Sequence, residues 1–184
     1  QRSFGENYAQ EGCEKVDWFR ENHAELPLVW HFIGPVQANK TRPIAEHFDW
    51  VESLNREKIA RRLNEQRPEA LGKLNVLIEV NIDGEASKSG VLPKDVPALC
   101  DVVQGLDRLK LRGLMAIPAP ADTHEGKIKP LRDMRALYES LRDRYEFDTL
   151  SMGMSADYLE ALEAGSTEIR VGTAIFGHRD YSAK

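Results

Sequence analysis

The 184-residue chain has no apolar run near the roughly 20 residues that a membrane-spanning helix needs. Basic residues are outnumbered, with 25 Lys and Arg against 30 Asp and Glu, and the net charge of -5 argues against nonspecific nucleic-acid binding. The two cysteines, Cys13 and Cys100, fit free thiols in a reducing compartment better than a disulfide framework. We therefore expect a cytoplasmic protein whose partners are neither membranes nor nucleic acids.

Two familiar kinds of site are also missing. The five histidines show no metal-ligand spacing with either cysteine, so we expect no structural metal site. Residues 85–90 (EASKSG) lack the spacing of a P-loop, which requires a Gly, four residues and then Gly-Lys-Ser/Thr. That spacing argues against a nucleoside triphosphatase.

Strand-like and helix-like segments alternate along the whole chain. This alternation predicts a parallel sheet, closed or open, with helices between its strands. Strands are predicted at residues 2–6, 28–33, 50–54, 74–82, 111–118, 149–153 and 168–175. Helices are predicted at residues 7–22, 39–47, 56–66, 94–105, 129–144 and 156–164, with a long loop at 118–129.

The number of units favours a (β/α)8 TIM barrel. Seven units in 184 residues give about 26 residues each, close to the ~30 per unit of a roughly 250-residue barrel. Since a closed barrel needs eight, we expect one α/β domain over residues 1–184 that lacks its first β-α unit. A complete barrel would be a monomer, whereas unpaired parallel edges would favour self-association.

The last third of the chain predicts a phosphate site. Residues 149–155 and 168–177 each form a strand-like segment that ends in Gly and hydroxyl residues. Backbone N–H groups at such turns bind phosphate oxygens, and barrels commonly bind phosphate after strands seven and eight. Ser155 is also predicted to cap the helix at 156–164, with Leu159 and Leu162 facing the core.

Strand alternation places several polar side chains inside the barrel. Arg170 would point inward, where it forms either an internal salt bridge, for example with Glu79 or Glu168, or a contact with the ligand. His31 also points inward, as a satisfied core group or a ligand contact. Asn7 follows the first strand and is either a simple turn residue or part of the rim of the site.

Six sequence motifs, taken in their order along the chain, resemble those of the pyridoxal phosphate homeostasis protein family. They are residues 4–8 (FGENY), 30–37 (WHFIGPVQ) with 39–40 (NK), 87–90 (SKSG), 112–118 (RGLMAIP), 151–155 (SMGMS) and 170–177 (RVGTAIFG). The resemblance implies a fold-type III barrel, similar to the N-terminal domain of bacterial alanine racemase, that holds pyridoxal 5′-phosphate (PLP).

The resemblance also implies roles for particular residues. Ser155, Gly172 and Thr173 would hold the phosphate, in agreement with the phosphate site predicted above from residues 149–155 and 168–177. We call this site the phosphate cradle. Arg170 would face the pyridine nitrogen, where a permanent cation keeps that nitrogen unprotonated and weakens the cofactor as an electron sink.

The remaining implied contacts concern the ring and the aldehyde. Asn7, His31 and Met154 would line the ring pocket. Members of the family carry a Schiff-base lysine at the end of the first barrel strand, and no lysine of this chain matches it, so we expect that lysine N-terminal to Gln1. PLP would then be held in this chain through its phosphate alone, and no catalytic residue is assigned.

The resemblance therefore implies a PLP carrier or regulator of vitamin B6 pools without dedicated catalysis. One alternative is a fold-type III amino-acid racemase or decarboxylase, which needs a second acid or base that usually comes from a second domain. The other alternative is a barrel enzyme that binds a different phosphate ester.

Overall fold

A computed structural model describes residues 1–177, in which seven strands alternate with seven α-helices. The strands, β1 to β7, are Ser3–Glu6, Val29–Phe32, Trp50–Leu54, Leu74–Val80, Leu109–Ala116, Thr149–Met154 and Glu168–Arg170. The helices, α1 to α7, are Ala9–Asn22, Thr41–His47, Glu57–Gln66, Val96–Gln104, His124–Tyr145, Tyr158–Glu163 and Thr173–Phe176. The alternation confirms the predicted α/β class. His178, one of the five histidines, lies outside the described residues.

The seven strands form one parallel sheet in which each strand pairs with the next strand along the chain. Within residues 1–177, β1 and β7 each pair on one side only. Parallel strands in sequential order with helices between them are the arrangement of a TIM barrel. The described chain therefore forms seven of the eight strands of such a barrel. Within residues 1–177, the edges of β1 and β7 that face each other are not paired.

A hydrophobic core lies between the sheet and the helices. Val76 and Ile78 of β4 are fully buried and belong to this core, as do Ile59 and Leu63 of α3. The two sets follow the two-residue period of a strand and the four-residue spacing of a helix.

The opposite face of the sheet lines the barrel interior. Leu77 and Met115 are fully buried but lie outside the helix-facing core, because they alternate with its members along β4 and β5. Polar side chains share this interior, among them His31, Glu52 and Glu79, all of which are buried. An interior of this kind needs internal hydrogen bonds to be stable.

Helix α5 begins five residues earlier than predicted. Thr123 caps it, since the Thr123 hydroxyl accepts a hydrogen bond from the Gly126 N–H at 3.1 Å, and the helix continues through Pro130. The predicted loop at 118–129 is correspondingly shorter. The prediction was wrong because residues 118–129, whose polar and Pro-, Ala- and Gly-rich composition is typical of a loop, contain the Thr123 cap and the first turn of α5.

Helix α6 also differs from its prediction. It begins at Tyr158, and Leu159 and Leu162 are 65% and 50% exposed rather than packed in the core. Ala161 is the fully buried residue of this helix.

Among the helices of residues 1–177, none combines the length and the apolar content that crossing a bilayer requires.

Candidate functional site

The loops that follow β6 and β7 meet at the side chain of Ser155. The Ser155 hydroxyl oxygen accepts hydrogen bonds from the Gly172 N–H at 3.3 Å and from the Ala174 N–H at 3.2 Å. Because the oxygen is the acceptor in both bonds, the hydroxyl proton remains available for donation to another group. The two strand ends that the sequence singled out therefore lie side by side.

The chain turns sharply after β7. The strand ends at Arg170, Gly172 precedes the one-turn helix α7, and Thr173 is the exposed first residue of that helix. The prediction of a continuous strand over residues 168–175 is therefore wrong. A side-chain carbon at Gly172 would meet nothing within 4 Å in the described part of the chain, so the space beside this turn is open.

Asp157, rather than Ser155, shapes the loop after β6. Its Oδ1 accepts the Met154 N–H at 2.7 Å, and its own N–H donates to the Met154 carbonyl oxygen at 3.1 Å. Asp157 is also the residue that precedes α6, so the prediction that Ser155 caps a helix beginning at residue 156 is wrong. The Ser155 hydroxyl bonds to the α7 turn instead of to its own helix.

Arg170 points into the barrel interior, as strand alternation predicted. One guanidinium nitrogen donates to Ser151 Oγ at 2.6 Å, and another donates to the Ala116 carbonyl oxygen at 3.0 Å. Its ion pair in the described structure is with Glu52, whose Oε2 lies 4.0 Å away, and not with Glu79 or Glu168. The internal salt bridge considered from the sequence is thus formed with a different acid.

Glu52 is the centre of this interior network. His31 Nδ1 lies 2.7 Å from Glu52 Oε1, and Ser151 Oγ donates to Glu52 Oε2 at 2.6 Å. The His31 ring also stacks on Trp50, with 5.1 Å between ring centroids and an interplanar angle of 8°. The carboxylate is 1% exposed, so these bonds and the nearby guanidinium replace the water it loses.

Glu168 is a second carboxyl group in the same cluster, with its Oε1 3.7 Å from His31 Nδ1. Burial and the adjacent negative charge of Glu52 raise the pKa of Glu168 to about 7. Burial opposes ionisation of Glu52 as well, but hydrogen bonds from His31 and the Glu168 carboxyl lower the pKa of Glu52 overall. Near neutral pH, Glu52 therefore carries the charge and Glu168 shares its proton with the network.

The cluster also has the composition of a metal site. His31, Glu52 and Glu168 each offer one ligand atom, and these atoms lie within 4.8 Å of one another. Arg170 already places a positive charge 4.0 Å from Glu52 in that space. This chemistry favours a network that shares protons over one that binds a cation.

The predicted site residues fall into two groups. Ser155, Gly172 and Thr173 lie together at the loops after β6 and β7, whereas His31 and Arg170 meet through Glu52 in the interior.

Met154 lies between the two groups, because it pairs with Arg170 in the β6–β7 register and directly precedes Ser155 in the sequence. Its side chain is 38% exposed. Asn7 lies in the exposed connection between β1 and α1 and packs its backbone against Gly34. Among residues 1–177, no hydrogen bond or ion pair joins Asn7 to either group.

Gln1 marks the position before which the resemblance places the Schiff-base lysine. Its side chain is exposed, and its amide nitrogen donates a hydrogen bond to the Ser3 carbonyl oxygen at 2.9 Å. In the described part of the chain, Gln1 thus bonds to β1 and to neither group of site residues. A lysine N-terminal to Gln1 would lie outside this sequence, so its position stays a prediction.

Sequence reasoning missed Glu52 and Ser151. The same alternation that placed His31 inside the barrel also places Glu52 there, two residues after Trp50 on β3. A charged residue within an otherwise buried strand was the available signal. Ser151 gave no comparable signal, because a serine in a strand is common and its partner lies on another strand.

Comparison with known proteins identifies the family. The sequence profile of the family described as "Alanine racemase, N-terminal domain" matches residues 1–180. The pyridoxal phosphate homeostasis protein of Vibrio cholerae is 54% identical over 183 residues, which cover 99% of this chain and 78% of the relative. The Escherichia coli protein of the same name is 52% identical over 185 residues, covering 100% of this chain and 79% of the relative.

Solved structures give the same result for the fold. PipY of Synechococcus elongatus, with PLP bound, has a TM-score of 0.83 and 31% identity over 96% of this chain and 82% of PipY. An alanine racemase of Clostridium difficile shares the fold, with a TM-score of 0.77 at 16% identity over 98% of this chain and 46% of the racemase. The chain has the barrel fold of the alanine racemase N-terminal domain and belongs to the pyridoxal phosphate homeostasis protein family.

Proposed function

We propose that this chain binds PLP and acts in PLP homeostasis as a cytoplasmic carrier or regulator rather than as a dedicated catalyst. The observation that carries the proposal is the meeting of the β6 and β7 loops at Ser155, with the Gly172 and Ala174 N–H groups at its hydroxyl oxygen. The names of the relatives and the PLP in the PipY structure support the same ligand.

The donors at this position fit a phosphate ester. Ser155 supplies a hydroxyl, Thr173 supplies a second hydroxyl on an exposed side chain, and Gly172 leaves open space beside the backbone. The Thr173 N–H begins a helix, so no helical carbonyl precedes it as an acceptor. Several neutral donors beside one open space match an oxyanion with several acceptor oxygens.

Arg170 is the residue we assign to the pyridine nitrogen. Burial lowers its pKa, but a guanidinium remains protonated in a protein, and the bonds to Ser151 and Ala116 hold it in place. Bound PLP supplies an aldehyde that reacts with amines and a ring that withdraws electrons when its nitrogen is protonated. A fixed cation opposite that nitrogen disfavours its protonation, which supports a carrier over a catalyst.

We assign the ring pocket to His31, Met154 and Asn7. His31 Nδ1 is bound to Glu52, so the His31 ring is held in one orientation. Met154 adds a partly exposed apolar side chain beside Arg170, and Asn7 is an exposed amide after β1. The ring would thus be bound by contacts of modest strength, as release to an acceptor requires.

The described strands offer no inward lysine for covalent attachment. Their one lysine, Lys110, is exposed near the beginning of β5. Cys13 and Cys100 are free thiols, in keeping with a cytoplasmic location. The residues assigned above therefore supply noncovalent contacts to PLP.

A ligand panel tests the proposal. The 184-residue chain is titrated with PLP, with pyridoxal, which lacks the phosphate, and with a sugar phosphate. We expect saturable PLP binding, pyridoxal binding about tenfold or more weaker, and no acceleration of alanine racemisation by the PLP-loaded chain. Pyridoxal binding as tight as that of PLP would contradict the proposed phosphate site. Tighter binding of the sugar phosphate would contradict the identification of PLP as the ligand. Racemisation of alanine would contradict the role as a carrier.

A further inference from the structure

Lys127 links α5 to the loop that carries Ser155. Its Nζ donates a hydrogen bond to the Ala156 carbonyl oxygen at 2.8 Å and lies 3.5 Å from Glu160 Oε1. The side chain is only 25% exposed, so its ammonium group is held between α5 and α6. Ala156 directly follows Ser155, and the bond therefore fixes the backbone beside the proposed phosphate contact.

The other side-chain bonds of this loop come from the α6 and α7 region itself. Asp157 accepts the Met154 N–H, and Ser155 accepts from the α7 turn. In the described part of the chain, Lys127 is the one side chain from another helix that donates a hydrogen bond to residues 154–157. It is thus the external anchor of the loop.

The surrounding contacts make α5 a firm support for this anchor. Arg132 pairs with Glu163 at 3.1 Å, and Arg135 donates to the Gly165 carbonyl oxygen at 2.8 Å, just beyond the end of α6. Arg132 and Arg135 follow Lys127 along α5 by five and eight residues. Helix α6 is therefore attached to α5 along its length, and Lys127 is the contact next to Ser155.

We propose that Lys127 is a positioning residue for phosphate binding. By holding the Ala156 carbonyl oxygen, it keeps Ser155 Oγ beside the Gly172 turn, so the donors for the phosphate are in place before the ligand arrives. This preorganisation raises the affinity for a phosphorylated ligand without contact between Lys127 and that ligand. The inference rests on the proposed function only for the identity of the ligand.

The first test compares three variants in direct binding titrations. Lys127→Met removes the donor, Lys127→Arg retains a cationic donor of similar reach, and Lys129→Met is the control because Lys129 is exposed and pairs with Asp133 on its own helix. We expect Lys127→Met to weaken PLP binding about 5–10-fold, with Lys127→Arg and Lys129→Met near wild type. Pyridoxal affinity should be the same in the wild type and all three variants.

Three results would overturn the inference. They are PLP binding by Lys127→Met that equals that of Lys129→Met, a failure of Lys127→Arg to restore affinity, and an equal loss of pyridoxal binding. The third result would indicate a general structural defect rather than a defect at the phosphate.

The second test needs no PLP. Amide hydrogen exchange is measured at Asp157 and Ala174, whose N–H groups bond within the cradle. We expect faster exchange in ligand-free Lys127→Met than in Lys129→Met. If Lys127→Met exchanges faster but the wild-type chain binds no PLP, the positioning role of Lys127 is supported and the proposed function fails. If exchange is the same in Lys127→Met and Lys129→Met, the positioning role is overturned, whatever ligand the chain binds.

Discussion

Ser151 and Glu52 are 99 residues apart in the sequence, yet the Ser151 hydroxyl donates a 2.6 Å hydrogen bond to the buried Glu52 carboxylate. This bond joins β6 to β3 across the barrel interior. His31 and Arg170 contact the same carboxylate from β2 and β7. Four strands are thus connected through one buried charge.

Replacing Glu52 with Gln should destabilise the chain by about 2–4 kcal/mol, because Arg170 would remain buried without its anion. Ser151→Ala should cost about 1–2 kcal/mol through the lost hydrogen bonds. Urea unfolding followed by circular dichroism measures both changes. Glu65→Gln, at an exposed position of α3, is the control and should change stability by less than about 0.5 kcal/mol. Equal stability of Glu52→Gln and the control would contradict the central role of Glu52.

Glu168 should make stability depend on pH. Its pKa is raised from 4.5 to about 7 in the folded chain, so its contribution is fully present below pH 4.5 and is lost as the pH rises towards 7. The lowered pKa of Glu52 acts in the opposite sense, since that contribution is present above pH 4.5 and is lost as the pH falls through the folded value. Between about pH 5 and 8, the Glu168 effect therefore outweighs that of Glu52.

The variant Glu168→Gln has no proton to lose in this range. Its unfolding free energy should fall less than that of the wild type between about pH 5 and 8, by about 1–2 kcal/mol. Chemical denaturation at the two pH values measures the difference. Parallel changes in the two proteins would show that Glu168 titrates at its ordinary value.

Gly153 should not tolerate a side chain. Its φ is +97°, and a Cβ at this position would clash with Ala161 Cβ on α6. Gly84 is a matched control, with φ of +70° but nothing within 4 Å of a Cβ in the described structure. Gly84→Ala should cost about 1 kcal/mol through backbone strain, and Gly153→Ala about 2–4 kcal/mol because overpacking adds to the strain. Equal losses of stability would contradict the close packing of β6 and α6.

The fold was largely predictable because each buried strand is a short apolar run between helical patterns. Helix α3 lies within one residue of its prediction, at Glu57–Gln66. The last unit was harder to predict. Ile169, Val171 and Ile175 have the composition of one long strand, but the N–H groups of the following turn bond to Ser155, which a local pattern does not show.

The site was predictable where a single strand carried the information. Arg170 and His31 were placed inside the barrel from alternation alone. Glu52 could have been found in the same way, whereas its bond to Ser151 depends on the curvature of the whole sheet. The exposure of Leu159 and Leu162 likewise depends on Ala161, which packs against Gly153 in their place.

We expect a chain that begins at Gln1 to self-associate through the unpaired edges of β1 and β7. Within residues 1–177 both strands have unpaired edges, and such edges pair with other chains. Sedimentation velocity at increasing protein concentration should therefore show growing oligomers. Ser3→Lys places a charge on exposed β1 and should reduce association, whereas Ser87→Lys in an exposed loop should not. A monomer at all concentrations would contradict this expectation.

The most direct measurement of the central claim is the PLP affinity of Ser155→Ala. The control is Ser87→Ala, whose hydroxyl is exposed and distant in sequence from the cradle. If the β6 and β7 loops form the phosphate cradle, Ser155→Ala will bind PLP about tenfold more weakly than the control and pyridoxal equally well. PLP affinities that are the same in the two variants would contradict the cradle and the function proposed from it.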